Sequence, residues 1–518
     1  MANIRECIIP RIACIALIAL ASACASLPDE VDRTASAAIG DISGTRLHTD
    51  LTPLLDANPQ QSGFHILPVG EDAFLTRVGL IRQADRTLDL QYYMWHEDLT
   101  GSGLFNAVVK AADSGVRVRL LLDDMNTAGM DPTLRALDTM KNIEVRLFNP
   151  FANRNNRLDD IVTDPLRINH RMHNKTLTVD GIATIFGGRN IGDEYFAADM
   201  ELGFGDMDAL AIGPIAKEVG SQFDLYWNSE YAYPITAFYD QEPDAEAIAA
   251  YRAAAAVKLE TIMDSQYAAG LREMDLAQAE SFSDLSYAWS EGIIAYDQPD
   301  KIVSRDIAPE THLFPTLLKG MNTAESDLLI ISPYFIPGDE LTEYLVGRAE
   351  AGVRVRILTN SLLSNDVPAV HAGYIRYRKA LVEGGVELYE LRADLGRSAG
   401  GGAKAIKPQK SSLHAKYMVF DEHWLWVGSY NMDGRSTIYN TEFGAYFIDP
   451  AEAKNQSAKF DERIMGVAFK VELDDDGDLA WVTQRDGELE RFDKEPDTSW
   501  WERFTTGTLR MIVPEEQF

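Results

Sequence analysis

The sequence predicts an α/β protein of two similar domains, each layered α/β/α, related by a pseudo-two-fold axis and joined by a helical connector. Three observations carry that prediction. Apolar strand-like runs alternate with amphipathic stretches from Phe64 onward, the alternation returns about 240 residues later, and a set of polar residues repeats at one offset of 241. At 518 residues the chain has room for two or three domains with ample cores.

The elements follow in order. Residues 1–23 read as a signal peptide: Arg5 and Arg11 flank the start of an apolar run from Ile12 to Ala23 that is too short to span a bilayer. Leu20-Ala-Ser-Ala-Cys24 sets small residues directly before a cysteine. This resembles a bacterial lipobox, with Ala21 where Leu is commoner. It implies cleavage before Cys24 and lipidation of its thiol, with Cys7 and Cys14 discarded and no internal disulfide possible. The expected location is the bacterial cell envelope, facing the periplasm, and Ala25 after the cysteine favours the outer membrane. Residues 24–62 show little periodicity and read as the lipidated N-terminus and its tether.

The first domain is placed at 63–236. Phe74, Val78 and Ile81 share a helical face, and Leu88 to Trp95 reads as a strand. A second helix leads into Gly115-Val-Arg-Val-Arg119 and Leu120 to Leu122, another strand, closing on Asp123-Asp124. The second domain, 301–518, repeats the order with Leu328 to Phe335, a helix, and Gly352-Val-Arg-Val-Arg356, at offsets of 240 and 237. Alternation of this kind predicts largely parallel sheets covered on both faces. Residues 237–300, with a helical stretch at Ala245–Met263, read as the connector.

The repeat carries chemistry. The first copy is His173-Asn-Lys175, Asp180 and Gly187-Gly-Arg-Asn190; the second is His414-Ala-Lys416, Asp421 and Gly428-Ser-Tyr-Asn431. Any given His opens an H-x-K-x-x-x-x-D match by chance in roughly one case in a few hundred. Two matches in register, each followed by G-x-x-N seven residues after the Asp, are not accidental. On a strand, His at i and Lys at i+2 point to one face. A pseudo-two-fold pair of such strands presents two imidazoles and two ammoniums to one phosphoryl centre. Phosphoryl transfer asks for placement and for positive charge on the equatorial oxygens. One His attacks phosphorus while the other protonates the departing oxygen and then reverses role. Asn190 and Asn431 can donate to the same oxygens. The lysine pair supplies the charge a metal supplies elsewhere, so no cofactor or metal is expected.

Each reactive His needs a carboxylate on its other ring nitrogen. In the second half Glu442 opens a strand running to Ile448. In the first half strict offset selects Glu201, but Asp206 opens the matching strand to Ile212, eight residues before Pro214 as Glu442 stands eight before Pro450. Asp206 is therefore preferred. Asp180 and Asp421 read as turn or buried-bond residues rather than as direct chemistry.

At these residues the chain resembles the phospholipase D superfamily, whose signature is the duplicated HKD motif, over a stretch from about Phe64 to the C-terminus. Leu90-Gln-Tyr-Tyr-Met-Trp95 and Gly187-Gly-Arg-Asn-Ile-Gly-Asp-Glu-Tyr195 are similar to the bacterial cardiolipin synthase branch, particularly its synthase C type. The resemblance implies a phosphatidyl-histidine intermediate, with His173 as nucleophile, and a second phospholipid's headgroup hydroxyl as acceptor. It further implies phosphatidylethanolamine as donor and phosphatidylglycerol as acceptor. Gly188 departs from the G-S-x-N pattern, and the expected lipobox stands in place of the transmembrane pair of other synthases.

The expected function is phosphatidyl transfer giving cardiolipin. Hydrolysis to phosphatidic acid and a non-catalytic lipid-binding lipoprotein are the alternatives, the latter disfavoured by two intact His-Lys pairs. With 48 basic and 80 acidic residues the net charge is −32, which argues against a nucleic-acid partner and against adhesion to an anionic membrane by charge alone. A His170–His173 zinc pair is disfavoured because the two face opposite sides of a strand. His48, His65, His96, His312, His371 and His423 read as solvated or structural. Asp123 and Asp124 end a strand where α/β sites gather and read equally as a cap or as a substrate contact. Gly396–Lys410, with Arg397, Lys404, Lys407 and Lys410, reads equally as a headgroup-facing lid or a solvated loop. Trp500-Trp501 with Phe504 reads as a packed C-terminal edge, with bilayer contact as the alternative.

Overall fold

The computed structural model describes residues 26–199, 202–274, 281–303, 312–395 and 410–512. The leader with Cys24, Glu201 and most of the basic segment (396–409) lie outside them.

Each half is built on one sheet. In the first, Thr87–Tyr92 pairs in parallel with Arg117–Asp123, which pairs in parallel with Ile143–Phe148. The helices Leu99–Asp113 and Asp131–Asp138 make the crossovers. On the other side of Thr87–Tyr92 come Thr176–Val179, Ala183–Gly187, Asp208–Ile212 and Ser62–Leu67, all antiparallel. The second half repeats this: Asp327–Ile331, Arg354–Asn360 and Glu387–Leu391 are parallel, while Tyr417–Phe420, Trp424–Gly428 and Phe443–Ile448 follow antiparallel.

The sheets are therefore mixed and not largely parallel. The cause is local. After Thr176–Val179 and Tyr417–Phe420 the chain reverses through tight turns in which Asp180 and Asp421 both adopt φ +50°. A turn that short returns the chain only as an antiparallel neighbour.

The two sheets pack face to face. Phe64, Phe186 and Ala211 of the first interleave with Ile331, Val427 and Phe443 of the second, and the Phe64 and Phe447 rings stack at 4.3 Å. Helices cover the outer faces in two further cores. Double-sided burial explains why the strands read as continuous apolar runs.

Three expectations change. The segment read as a tether is docked on the first half. Thr45 caps the helix Arg46–Ala57, which buries Leu47 and Leu51, and Ala38 N–H donates to Asp224 at 2.8 Å. The connector keeps its helix Ala245–Met263, started by an Asp244 cap. It then supplies two strands, Ala288–Ser290 at the edge of the first sheet and Ile293–Tyr296 at the edge of the second. The C-terminal aromatics do not pack inward: Trp500 and Trp501 are 65% and 62% exposed and stack against Phe504 on the outside of the helix Trp500–Ile512. No helix among the described residues is long and apolar enough to cross a membrane.

Candidate active site

The motif residues sit at the end of each sheet where the parallel strands finish. His173 and Lys175 lie in the extended segment just before Thr176–Val179, not on the strand itself, and His414 and Lys416 stand likewise before Tyr417–Phe420. One polar residue at the end of a parallel strand anchors each segment. Asp123 accepts from Met172 N–H at 2.7 Å, and Asn360 accepts from Leu413 N–H at 2.9 Å. Asp123 is thus a brace for the reactive segment. Burial raises its carboxyl to about 6, with Arg171 at 3.3 Å opposing. Asp124 is fully buried, takes the Phe151 N–H at 2.8 Å, and pairs with Arg154 and Arg157.

The motif aspartates are scaffold. Asp180 accepts the backbone N–H groups of Asp85, Arg86 and Thr87 at 2.8–2.9 Å. Asp421 accepts those of Glu325, Ser326 and Asp327 at 2.8–2.9 Å. Each clamps the reactive hairpin to the entry of the first parallel strand of its own half.

The histidine–carboxylate pairs cross between halves. His173 Nδ1 lies 2.8 Å from Glu442, a residue of the second half, and His414 Nδ1 lies 2.6 Å from Asp206, a residue of the first. The backbone supports the exchange: His173 N–H donates to Thr441 O and His414 N–H to Gly205 O, both at 2.8 Å. Lys410–Leu413 and Leu202–Gly205 form a two-stranded parallel sheet of their own across the halves. All four side chains of the two pairs are buried.

Electrostatics separates the two pairs. Burial, then the Lys175 and Lys416 ammoniums, push His173 well below its ordinary range. Burial lifts its partner Glu442 to about 7 against the pull of Lys175. Burial and Lys416 also lower His414, while Asp206 opposes them. Burial works to raise Asp206, yet the His414 ring and its hydrogen bond hold that carboxyl well below the usual carboxylate range. Burial lowers Lys175 to about 7 and Lys416 to about 8, opposed first by Glu442 and by Asp206 respectively. Lys416, His414 and Arg435 all act on His173 by charge, so the two halves share one electrostatic site.

Asn190 donates to Tyr195 Oη at 2.9 Å, and Asn431 accompanies Ser436 at 3.2 Å through its backbone N–H. The Oδ1 atoms of both asparagines are buried without a partner. Each of these amide oxygens can take a hydrogen bond only from a donor group. Gly188 has a direct cause: a Cβ there would stand 2.2 Å from Asp206 Oδ1. Its counterpart Ser429 donates to the longer Glu442, as does Ser436 at 2.8 Å. The short carboxylate leaves no room for the hydroxyl.

Sequence reasoning missed the aromatic walls. The Tyr93 ring meets His173 edge-on at 5.0 Å and Tyr195 meets His414 at 5.0 Å. Tyr334, 241 residues after Tyr93, bonds Asp366 at 2.8 Å. That shared offset was the available signal for the Tyr93 and Tyr334 pair. Tyr195 has Ser436 at the same offset and gave none. His170 turns away from His173 and bonds Tyr439 O at 3.1 Å, as a structural histidine does. His371 is fully buried against Glu495 at 3.0 Å, also structural, whereas His96 faces Glu194 at 3.3 Å.

The chain is similar to known proteins over most of its length. Cardiolipin synthase C of Escherichia coli (strain K12) is 38% identical over 473 residues, covering 91% of this chain and 99% of the relative. Cardiolipin synthase 2 of Staphylococcus epidermidis is 24% identical over 76% of this chain and 66% of its own length. Among solved structures, phosphatidylserine synthase of Haemophilus influenzae superposes with a TM-score of 0.55 at 13% identity, covering 89% of this chain and 96% of that one, a likeness of fold. The family described as "Cardiolipin synthase, PLD-like domain" matches twice, at residues 78–227 and 317–464, once on each sheet and its reactive segment. With both copies present and their His-Lys pairs facing one site, the chain belongs to the phospholipase D-like family of the cardiolipin synthases.

Proposed function

We propose that the protein is a phosphatidyltransferase that joins two phospholipids into cardiolipin through a phosphatidyl-histidine intermediate. The observation that carries this reading is the crossed pairing of two buried histidines with carboxylates of opposite halves. His173, kept neutral by burial and the ammoniums, holds its Nδ1 proton toward Glu442 and so presents an unprotonated Nε2. That nitrogen attacks the phosphorus of the donor lipid. The bond to the headgroup oxygen breaks as His414, supported by the ionised Asp206, delivers a proton to the leaving alcohol. His414 then takes the proton from the acceptor's headgroup hydroxyl, whose oxygen attacks phosphorus and breaks the P–N bond to His173. Lys175 and Lys416, with Asn190 and Asn431, hold the phosphoryl oxygens through both steps.

The donor is phosphatidylethanolamine and the acceptor phosphatidylglycerol, a choice supported by the likeness to cardiolipin synthase C. Water in place of the acceptor gives phosphatidic acid by the same steps. The lipobox-like run before Cys24 supports a lipid anchor in the bacterial envelope, facing the periplasm.

The test uses the full chain with vesicles of phosphatidylethanolamine and labelled phosphatidylglycerol. Labelled cardiolipin with free ethanolamine is the expected product, and phosphatidic acid alone would make the enzyme a hydrolase. His173→Asn and His414→Asn each lower turnover by about four orders of magnitude, as removal of a nucleophile or its general acid–base partner does in comparable sites. Near-normal turnover by either would overturn the shared site.

A further inference from the structure

The segment between the last parallel strand of the first half and His173 folds as two short helices, Arg157–Thr163 and Pro165–Asn169. A surface helix ordinarily turns its apolar stripe to the protein and its charges to water. This pair departs from that rule. Leu158, Val162 and Leu166 recur every fourth residue and are 68%, 78% and 72% exposed, with Ile161 at 44% between them, alongside exposed Asp159 and Asp164, while Ile168 is buried. Three of the pair's polar side chains bond back to the protein. Arg157 donates to Asp124 O at 2.6 Å and to Thr127 Oγ1 at 2.8 Å, Asp160 accepts from Asn153 N–H at 3.0 Å, and Arg167 donates to Pro150 O at 2.6 Å.

The hairpin is tied to the reaction site. Arg435 of the second half donates to Asn169 Oδ1 at 2.7 Å and to Asn169 O at 2.8 Å. Four residues carry the chain from Asn169 to His173, a reach of at most about 14 Å. Ile438, in the turn that holds Arg435, adds a further exposed aliphatic from the other half.

We propose that this hairpin is the surface by which the site docks on a phospholipid leaflet, its four aliphatics entering the acyl boundary so that lipid headgroups meet His173 without leaving the membrane. The inference rests on the phospholipid reading given above. Charge does not supply the attraction: the chain carries −32, Asp159 and Asp164 are exposed on the hairpin, and its arginines are already bonded to protein oxygens, so the aliphatics are what it offers a leaflet. Exposed apolar residues in a contiguous set are uncommon on a surface that faces only water. Burial of a few such side chains at the acyl boundary is how interfacial helices hold.

The experiment compares the full chain with its Leu158→Ser/Val162→Asp/Leu166→Asp variant on two forms of the same substrates. One is vesicles of phosphatidylethanolamine and phosphatidylglycerol; the other is short-chain versions of both lipids below their micelle concentration. Docking predicts a loss of about tenfold or more on vesicles and rates within about twofold on the monomeric lipids. It also predicts that vesicles slow amide exchange across 157–169 in the unaltered chain. Equal losses on both substrates, or no loss on vesicles, would overturn it. So would a smaller oligomer for the variant with unchanged vesicle turnover, which would make a second copy of the chain the occupant. If the unaltered chain converts neither substrate, the phospholipid reading fails instead, and amide exchange still decides whether the hairpin meets lipid.

Discussion

Replacing Asp206 by Asn keeps an acceptor near His414 and removes only the charge. The carboxylate lies 2.6 Å from Nδ1 in a buried pair, and a charge-assisted hydrogen bond of that kind is worth about 1.5–3 kcal/mol. Expressed as rate at a fixed pH, that is about a 10- to 150-fold loss. Losing that interaction also lowers the His414 pKa further, because Asp206 is what raises it. The sign follows from the role. His414 must be protonated to release the headgroup; burial and Lys416 already pull it below its ordinary range, and Asp206 alone of the named causes with a carboxylate pulls it up. Removing that pull moves the alkaline limb of kcat/KM to lower pH, so the deficit widens as pH rises and narrows in acid. Initial rates of cardiolipin formation across the acid-to-neutral range read it directly. Glu442→Gln is the control: it flanks a histidine that works neutral, so it slows the reaction without that shift. An unshifted profile for Asp206→Asn refutes the assignment, and a shift produced only by Glu442→Gln exchanges the roles of the histidines.

Asp421→Ala removes the acceptor of three backbone donors at the start of a central strand of the second sheet and costs about 1 kcal/mol, seen as a melting temperature lower by a few degrees. Turnover well below the transition stays within about threefold, because Asp421 touches scaffold and not the reacting atoms; a large loss there would return it to the chemistry. Its carboxyl is held below the ordinary value of 3.8, chiefly by the backbone donors against burial, so its stabilising share is present at neutral pH and is lost as pH falls through the folded value. Gly188→Ser, which restores the hydroxyl found in the other half, lowers turnover by about tenfold or more because its Cβ meets Asp206 at 2.2 Å; full activity would show that Asp206 has room to move. Saturating chelator leaves the rate within about twofold if, as proposed, the two lysines carry the charge on the phosphoryl oxygens; a metal-rescued loss would overturn that division of labour.

The duplicated motif was legible because its spacing is imposed by structure: seven residues from Asp180 to Gly187 are one turn and one strand, and the same holds from Asp421 to Gly428. Strand order selects Asp206 where strict offset selects Glu201; Asp206 stands 2.6 Å from His414, and Glu201 lies outside the described residues. What was not legible is who partners whom. Sequence lists Glu442 and Asp206 each in its own half, and only the docking of Met172 beside Thr441 and of Lys410–Leu413 beside Leu202–Gly205 exchanges them. The docked segment before Phe64 was hidden for another reason. Leu47, Leu51, Leu54 and Leu55 hold helical spacing, but over so short a run that it passes for a linker. The exposed Trp500 and Trp501 fail a general expectation, that large aromatics are covered.

The exchange of carboxylates has a consequence for how two near-identical halves come to do different chemistry. A symmetric pair of His-Lys motifs would give two equivalent histidines, each as ready to attack as to protonate. The asymmetry enters at the second position of each G-x-x-N segment. Gly188 lets the short Asp206 close on His414 and stay ionised, while Ser429 and Ser436 satisfy the longer Glu442, whose burial raises it to about 7. Under the proposed roles, the carboxylate that stays charged supports the histidine that donates the proton, and the one drawn toward neutrality flanks the nucleophile. Because each carboxylate is supplied by the opposite half, neither half holds a complete histidine pair by itself. The duplication supplied the parts, and the glycine–serine difference is where the settings of the two carboxylates diverge.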